Sequence, residues 1–341
     1  LLLTRILNVL IKADGPHLDR QVQLNFQGDW GQANFHIVCG WLTQEVIDRC
    51  LPGSRVAIWN GVGGADAAIA VGERKVDLAI STPAALTRLA LEGRGLLQGR
   101  PMRALRAIGV LPQDDRLIFG IRREFGIRTF AELREKKPKL RLTVSVDDGA
   151  NYIGFVTSRF MEAAGISRAT IEQWGGELYE AERPDTCLEL LHAQKVDAVI
   201  QEAVMAPWWH EQRKIALNFL SLEERALSRL EAELGIARNT LPKGYFPDLD
   251  HELVSLDFSN FVVMVHADMP EDLAHLITWC FTETRSRLEQ RYRHLPQDRA
   301  TLGYPLIPQY MAATPIPLHP GAEKLYRELG YLGDTPTHQR A

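Results

Sequence analysis

The sequence predicts an α/β protein of two lobes, and three observations carry that expectation. A chain of 341 residues exceeds the size at which a single hydrophobic core usually keeps growing. Short runs of alternating apolar residues interleave with segments whose apolar residues recur every four positions, the mark of strands alternating with helices around a largely parallel sheet. Finally, Lys75-Val76-Asp77-Leu78-Ala79-Ile80 reappears as Lys195-Val196-Asp197-Ala198-Val199-Ile200. Each copy follows a helical segment and reads as a strand, which favours two similar halves.

Taken in order, Val22 to Phe26 reads as a strand that runs into Gly28-Asp29-Trp30-Gly31-Gln32-Ala33-Asn34. Val56 and Ile58 alternate in Arg55 to Trp59, which leads into Asn60-Gly61-Val62-Gly63-Gly64. The first repeat strand ends at Ser81-Thr82-Pro83, where Thr82 caps a helix that Pro83 begins. Leu117, Phe119 and Ile121 alternate in Arg116 to Arg122. Gly126 to Leu133 reads as a turn, a Thr129 N-cap and a short helix with Glu132 at its third position. Leu142, Val144 and Val146 mark the strand Arg141 to Asp147, which opens into Asp147 to Tyr152 and a helix bearing Val156, Phe160 and Ala164. The second repeat strand leads into Gln201-Glu202-Ala203, and Phe261 to Ala267 crosses back before a helix bearing Leu273, Ile277 and Phe281. Lobe one then comprises residues 20–115 plus 261–335, lobe two comprises 116–260, and 1–19 form an N-terminal extension. A chain that leaves one lobe and returns makes two crossing hinge strands, near Arg116 to Arg122 and Asn260 to Ala267, and two crossings permit closure over a ligand.

Composition narrows the function classes. A net charge of −4 with scattered basic residues shows no footprint for nucleic acid. Four cysteines, at 39, 50, 187 and 280, are too few and too widely spaced for a disulfide framework, have no CxxC pair, and read as buried thiols in helical settings. The ten histidines form no metal-binding pair, and no GxSxG elbow or phosphate-binding loop occurs, so the expectation is a non-enzyme without metal or cofactor. No apolar stretch reaches the ~20 residues that span a bilayer. Leu1 to Ile11 reads as an export-signal remnant or as a helix of the mature chain.

Ligands of open parallel sheets collect beyond the carboxyl ends of strands, where helix N-termini present unpaired N–H groups. All the loops named above sit at such ends. Gly63-Gly64 also reads as a simple tight turn, Trp30 as either a ligand platform or a packing residue, and Trp208-Trp209 as core. Carboxylates crowding one cleft, from Asp29, Asp147, Asp148 and Glu202, would repel a plain dicarboxylate and favour a solute with hydroxyl, amide or amino donors beside its carboxylate.

Near the C-terminus, Ile316-Pro317-Leu318-His319-Pro320-Gly321-Ala322-Glu323-Lys324-Leu325-Tyr326-Arg327-Glu328 forms a proline-held strap in which Gly321 frees the chain to enter a helix. This run resembles the closing signature of TAXI-type substrate-binding proteins of tripartite ATP-independent periplasmic (TRAP) transporters. The likeness extends from about residue 21 to residue 330. It implies a two-lobed type II periplasmic-binding-protein fold, a periplasmic location, a small organic acid as ligand and membrane permease subunits as partners. Counting from Gly40 and Leu51-Pro52-Gly53 puts Asp29 to Asn34 on the family's glycine-rich loop and His36-Ile37 on its tyrosine pair. Ala33-Asn34 stands where the family usually has two glycines, and Asp148-Gly149-Ala150-Asn151 replaces its Gly-Ser-Gly-Thr element. The expected ligand contacts are therefore Trp30, Gln32, Asn34, His36, Asn60, Gly61, Gly63, Ser81 and Thr82 from lobe one, with Asp148, Ala150, Asn151, Tyr152, Gln201 and Glu202 from lobe two. An enzyme on the same scaffold, resembling pyrimidine-precursor synthases, and a ligand-sensing subunit of a signalling system are the alternatives.

Overall fold

The computed structural model describes residues 15–31, 33–203, 215–297 and 300–332. Two mixed sheets organise them. The first has the order β2-β1-β3-β12-β4, built from β1 (Gln23–Gln27), β2 (Arg55–Trp59), β3 (Leu78–Ser81), β4 (Leu105–Leu111) and β12 (Phe261–His266). The second has the order β10-β11-β5-β8-β6-β7. Its strands are β5 (Arg116–Arg122), β6 (Arg141–Ser145), β7 (Glu177–Ala181), β8 (Ala198–Glu202), β10 (Arg238–Leu241) and β11 (Leu253–Asp257), with β9 (Leu217–Phe219) pairing β5 off that path.

Parallel pairing is confined to β2-β1-β3 and to β7-β6-β8. The remaining pairs are antiparallel, which corrects the largely parallel expectation. The cause is the crossings: β12 and β5 enter their sheets running against the repeat strands β3 and β8.

The two repeat copies occupy equivalent places. Each begins after a non-glycine residue at positive φ, Arg74 (57°) and Gln194 (56°). Asp77 N–H donates to the Asn25 carbonyl while its Oδ2 accepts from Asn25 N–H at 2.7 Å. Asp197 does the same with Arg141, at 2.9 Å for the side-chain bond. In both sheets an aspartate thus pins the segment entering the repeat strand to its parallel neighbour.

Helices cover the sheets. On the first lie α1 (Asn34–Ile47), α2 (Ala65–Gly72), α3 (Thr87–Glu92), α9 (Glu271–Glu283), α10 (Arg285–Glu289), α11 (Pro308–Met311) and α12 (Pro320–Glu328). On the second lie α4 (Phe130–Lys136), α5 (Tyr152–Ala163), α6 (Arg168–Gln173), α7 (Pro184–His192) and α8 (Glu224–Leu234). The predicted cap of α4 forms: Thr129 accepts from Glu132 N–H, and Glu132 Oε2 accepts from Arg128 N–H. Apolar side chains build separate cores, one around Phe26, Phe281 and Tyr326, another around Phe119, Phe130 and Phe160. The second core also takes in Ala65, Leu86 and Leu89 from the first lobe's helical layer, so the lobes touch.

Two expectations change. Cys39, Cys187 and Cys280 are buried helical thiols, but Cys50 lies beyond the end of α1 in a bridge with Leu18 and is only half-buried. Gly321 needs no unusual dihedral. It sits in the first turn of α12, where a β-carbon would lie 2.2 Å from the Glu271 carbonyl oxygen, so its role is close packing of α12 on α9. The strap before it pairs with the edge of β4 through Ala107 N–H to Pro317 O and His319 N–H to Ala107 O. Trp208-Trp209 and Leu1 to Ile11 lie outside the described residues.

The chain crosses between sheets at residues 112–115 and 258–260, and the crossings are laced together. Asn260 N–H donates to Gln113 O at 3.1 Å, Gln113 N–H to Asn260 Oδ1 at 3.2 Å, and Phe258 N–H to Asp115 O at 3.0 Å. Asn260 holds φ at 71°, a conformation asparagine tolerates better than most residues.

Candidate functional site

Between the sheets, beside the crossings, lies a cavity of about 280 Å³. Its apolar lining comes from Phe35, Ile37, Val62, Phe261 and Leu295, and its polar lining from both lobes and from the first crossing. Four loops at strand ends build it, together with the start of α7 and with His294, Leu295 and Thr301.

The loop after β1 is shaped by Asp29. One of its oxygens accepts from Phe35 N–H at 3.0 Å and so caps α1, while its backbone carbonyl accepts from Gly61 N–H. The other oxygen, Oδ1, is buried without a hydrogen-bond partner in a residue only 3% exposed. Burial pushes the Asp29 carboxyl above the ordinary aspartate range, and the N–H groups of Phe35 and His36 pull partly the other way. The loop after β2 folds over Asp66, whose carboxylate accepts from Gln27 Nε2, Val62 N–H and Gly64 N–H. Gly64 is required here because a β-carbon would sit 2.4 Å from the Ala150 carbonyl oxygen across the cleft. That same carbonyl accepts from Ala65 N–H at 2.8 Å, a backbone bond between the lobes.

From the second lobe, Asn151 caps α5 by accepting from Ile153 and Gly154 N–H with Oδ1. The cap fixes which end of the amide is free: Nδ2 is buried and unpartnered. The Tyr152 hydroxyl is likewise buried and unpartnered, and burial pushes its pKa far up. Gln113, in the first crossing, is 5% exposed and its Oε1 has no partner. Glu202, at the end of β8, hydrogen-bonds Asp115, and burial lifts its carboxyl to about 7. Arg183 binds Asp185 through Nε at 3.1 Å and Nη2 at 2.7 Å, leaving Nη1 outside that pair.

Of the expected contacts, Trp30, Asn34, Gly63, Thr82, Asn151, Tyr152 and Glu202 line this cavity. Gln32 lies outside the described residues. Asn34 is occupied structurally: its Oδ1 accepts from Tyr292 and Thr301 hydroxyls and its Nδ2 donates to Thr301 O. His36, Asn60, Gly61, Ser81, Asp148, Ala150 and Gln201 sit behind or beside the wall. Gln201 donates to Ser145 Oγ, Ser81 donates to Gly64 O, and Asp148 Oδ1 accepts from Ala150 and Asn151 N–H. A β-carbon at Gly61 would press on Gln27, Asn60 is exposed beside Gly31, and His36 packs against Gly28. Ser81, Asp148 and Gln201 thereby brace the loops behind the wall.

Gln113, Arg183-Asp185, Phe261, His294, Leu295 and Thr301 line the cavity without having been expected there from the sequence. Pro184 at a helix start after β7 was a usable signal for Arg183-Asp185. Gln113, His294, Leu295 and Thr301 carry no local pattern, because they reach the cavity only through the crossings and the return of the chain. Among the described residues no group of His, Cys, Asp or Glu is arranged to hold a metal ion, and no helix is long and apolar enough to cross a membrane.

The sequence profile of the NMT1-like family matches residues 53–330. The chain belongs to the NMT1-like family. No curated protein matches it. Among solved structures, the periplasmic binding protein BugD is 12% identical over 92% of this chain and 95% of its own, with a TM-score of 0.51. A periplasmic transporter structure aligns at 11% identity over 92% and 94% with a TM-score of 0.49. PhnD1 from Prochlorococcus marinus in complex with methylphosphonate aligns at 11% over 91% and 99% with a TM-score of 0.46. The likeness to BugD is one of fold: the NMT1-like chain has the two-lobed, type II periplasmic-binding-protein fold, with its cavity where the two lobes meet.

Proposed function

We propose that this NMT1-like protein is an extracytoplasmic solute receptor, which captures a small carboxylate-bearing solute by hinge closure and delivers it to a membrane permease of the TRAP type. One observation carries the reading: buried polar atoms without partners, from lobe one, lobe two and the crossing between them, line a single cavity. Burying such atoms unpaired costs about 1–3 kcal/mol each, a cost that a solute with matching groups removes. Arg183 Nη1 and the N-terminus of α7 would receive the solute carboxylate. Trp30, Phe35 and Phe261 would cover its apolar body. The TAXI-like strap, pairing with β4 away from the cavity, supports the subtype as a feature of the scaffold.

Calorimetry and solution scattering on the purified chain test the receptor reading, with compaction expected on binding. Uptake into proteoliposomes carrying a tripartite permease tests the transport role. Stoichiometric binding without compaction, or uptake that does not depend on this chain, would count against it.

A further inference from the structure

Resting on the receptor reading, the geometry points to the charge class of the solute: a zwitterion without net negative charge, its protonated nitrogen seated on Asp29 Oδ1 and Gln113 Oε1 and its carboxylate on the Arg183 side. Both of those oxygens are acceptors in side chains at least nine-tenths buried, both lack partners, and both residues line the cavity. Neither can be satisfied by a carboxylate, which only accepts. A protonated nitrogen supplies several N–H donors and a positive charge on the cavity side of Asp29.

Arg183, the only arginine or lysine in the described lining, is held by Asp185. The near groups of Asp29 are backbone N–H donors of Phe35 and His36 and the His36 ring. Burial raises the Asp29 carboxyl, as expected of a carboxylate whose counter-ion is a ligand. The opposite lobe presents Asn151 Nδ2, a donor, and the Tyr152 hydroxyl, which can donate to the acceptor end of the solute. A diacid would leave Asp29 and Gln113 unsatisfied and bring a second anion beside Asp29. A zwitterion meets all four groups.

Thermal-shift screening followed by calorimetry on the full chain tests this. The panel holds neutral α- and ω-amino acids, each with its des-amino acid and its diacid, for example phenylalanine, 3-phenylpropanoate and benzylmalonate, or 6-aminohexanoate, hexanoate and hexanedioate. The tightest binder is expected to be a zwitterion that binds about tenfold or more tightly than either counterpart. Asp29→Asn retains an oxygen to cap Phe35 N–H and should erase most of that preference, and Gln113→Leu should weaken zwitterion binding without favouring diacids. A diacid or simple acid as the tightest binder, with Asp29→Asn neutral or improving, overturns the inference while leaving the receptor reading intact. No shift from any member of the panel counts against the receptor reading itself and removes the inference with it.

Discussion

Asn151 does two things with one amide, and its two ends can be separated by mutation. Its oxygen caps α5 and its nitrogen faces the cavity. Asn151→Asp keeps a capping acceptor and should leave stability nearly unchanged while weakening solute binding. Asn151→Ala should in addition cost about 1 kcal/mol of folding stability, read by urea denaturation. Glu202 supplies a pH test. Its folded-state pKa of about 7 lies above the ordinary glutamate value of 4.5 because burial disfavours the charged form. A carboxyl raised in this way contributes fully below pH 4.5 and loses its contribution as pH rises through about 7. Denaturation midpoints should therefore be lower at pH 8 than at pH 5, and Glu202→Gln should flatten the difference. An unchanged slope in that variant would assign the effect to other groups.

At the level of elements, the six-residue repeat is a structural device: the aspartate of each copy binds both backbone groups of one residue in the parallel neighbour strand, Asn25 in β1 and Arg141 in β6. In lobe two the same aspartate also meets Arg141 at 2.6 Å. Burial raises the Asp197 carboxyl, but hydrogen bonds from Arg141 outweigh it and leave the pKa below the ordinary aspartate value. Its contribution is present above that ordinary value of 3.8 and is lost as pH falls through the lower folded value. Asp197→Asn should accordingly reduce stability at pH 7 and narrow the loss seen on acidification, measured by thermal unfolding between pH 7 and 3. The α2 start gives a second test. Gly64→Val would place side-chain atoms against Ala150 and Tyr152, so it should prevent the lobes from closing, weaken binding and enlarge the radius of gyration while circular dichroism stays unchanged.

Across the whole molecule, the two crossings are hydrogen-bonded to each other, and Gln113 both takes part in that lacing and lines the cavity. Under the proposed receptor function, solute contact would thereby be coupled to lobe position. Asn260→Ala removes the bond to Gln113 N–H and puts alanine at positive φ, which together should cost about 1–3 kcal/mol and be visible in denaturation midpoints.

The α/β class, the repeat strands, the Thr129 cap and the glycine- and asparagine-bearing loops at strand ends were all legible from the residues alone. Each of these depends on residues close together in the chain: alternation, capping spacing and turn chemistry act over a few positions. Other features follow from long-range packing. The direction of strand pairing, the packing role of Gly321 and the division of the polar loop residues into cavity wall and loop support depend on neighbours brought from far along the chain. Asn34 shows the difference. Its type and place in a loop suggested a ligand contact, yet Tyr292 and Thr301 occupy its amide. Gln113 shows the converse, an unremarked residue left with a free buried oxygen because Asn260 holds its backbone at the hinge. Whether a polar group is available to a solute depends on which partners the fold has already given it, and those partners are set by long-range packing rather than by local sequence.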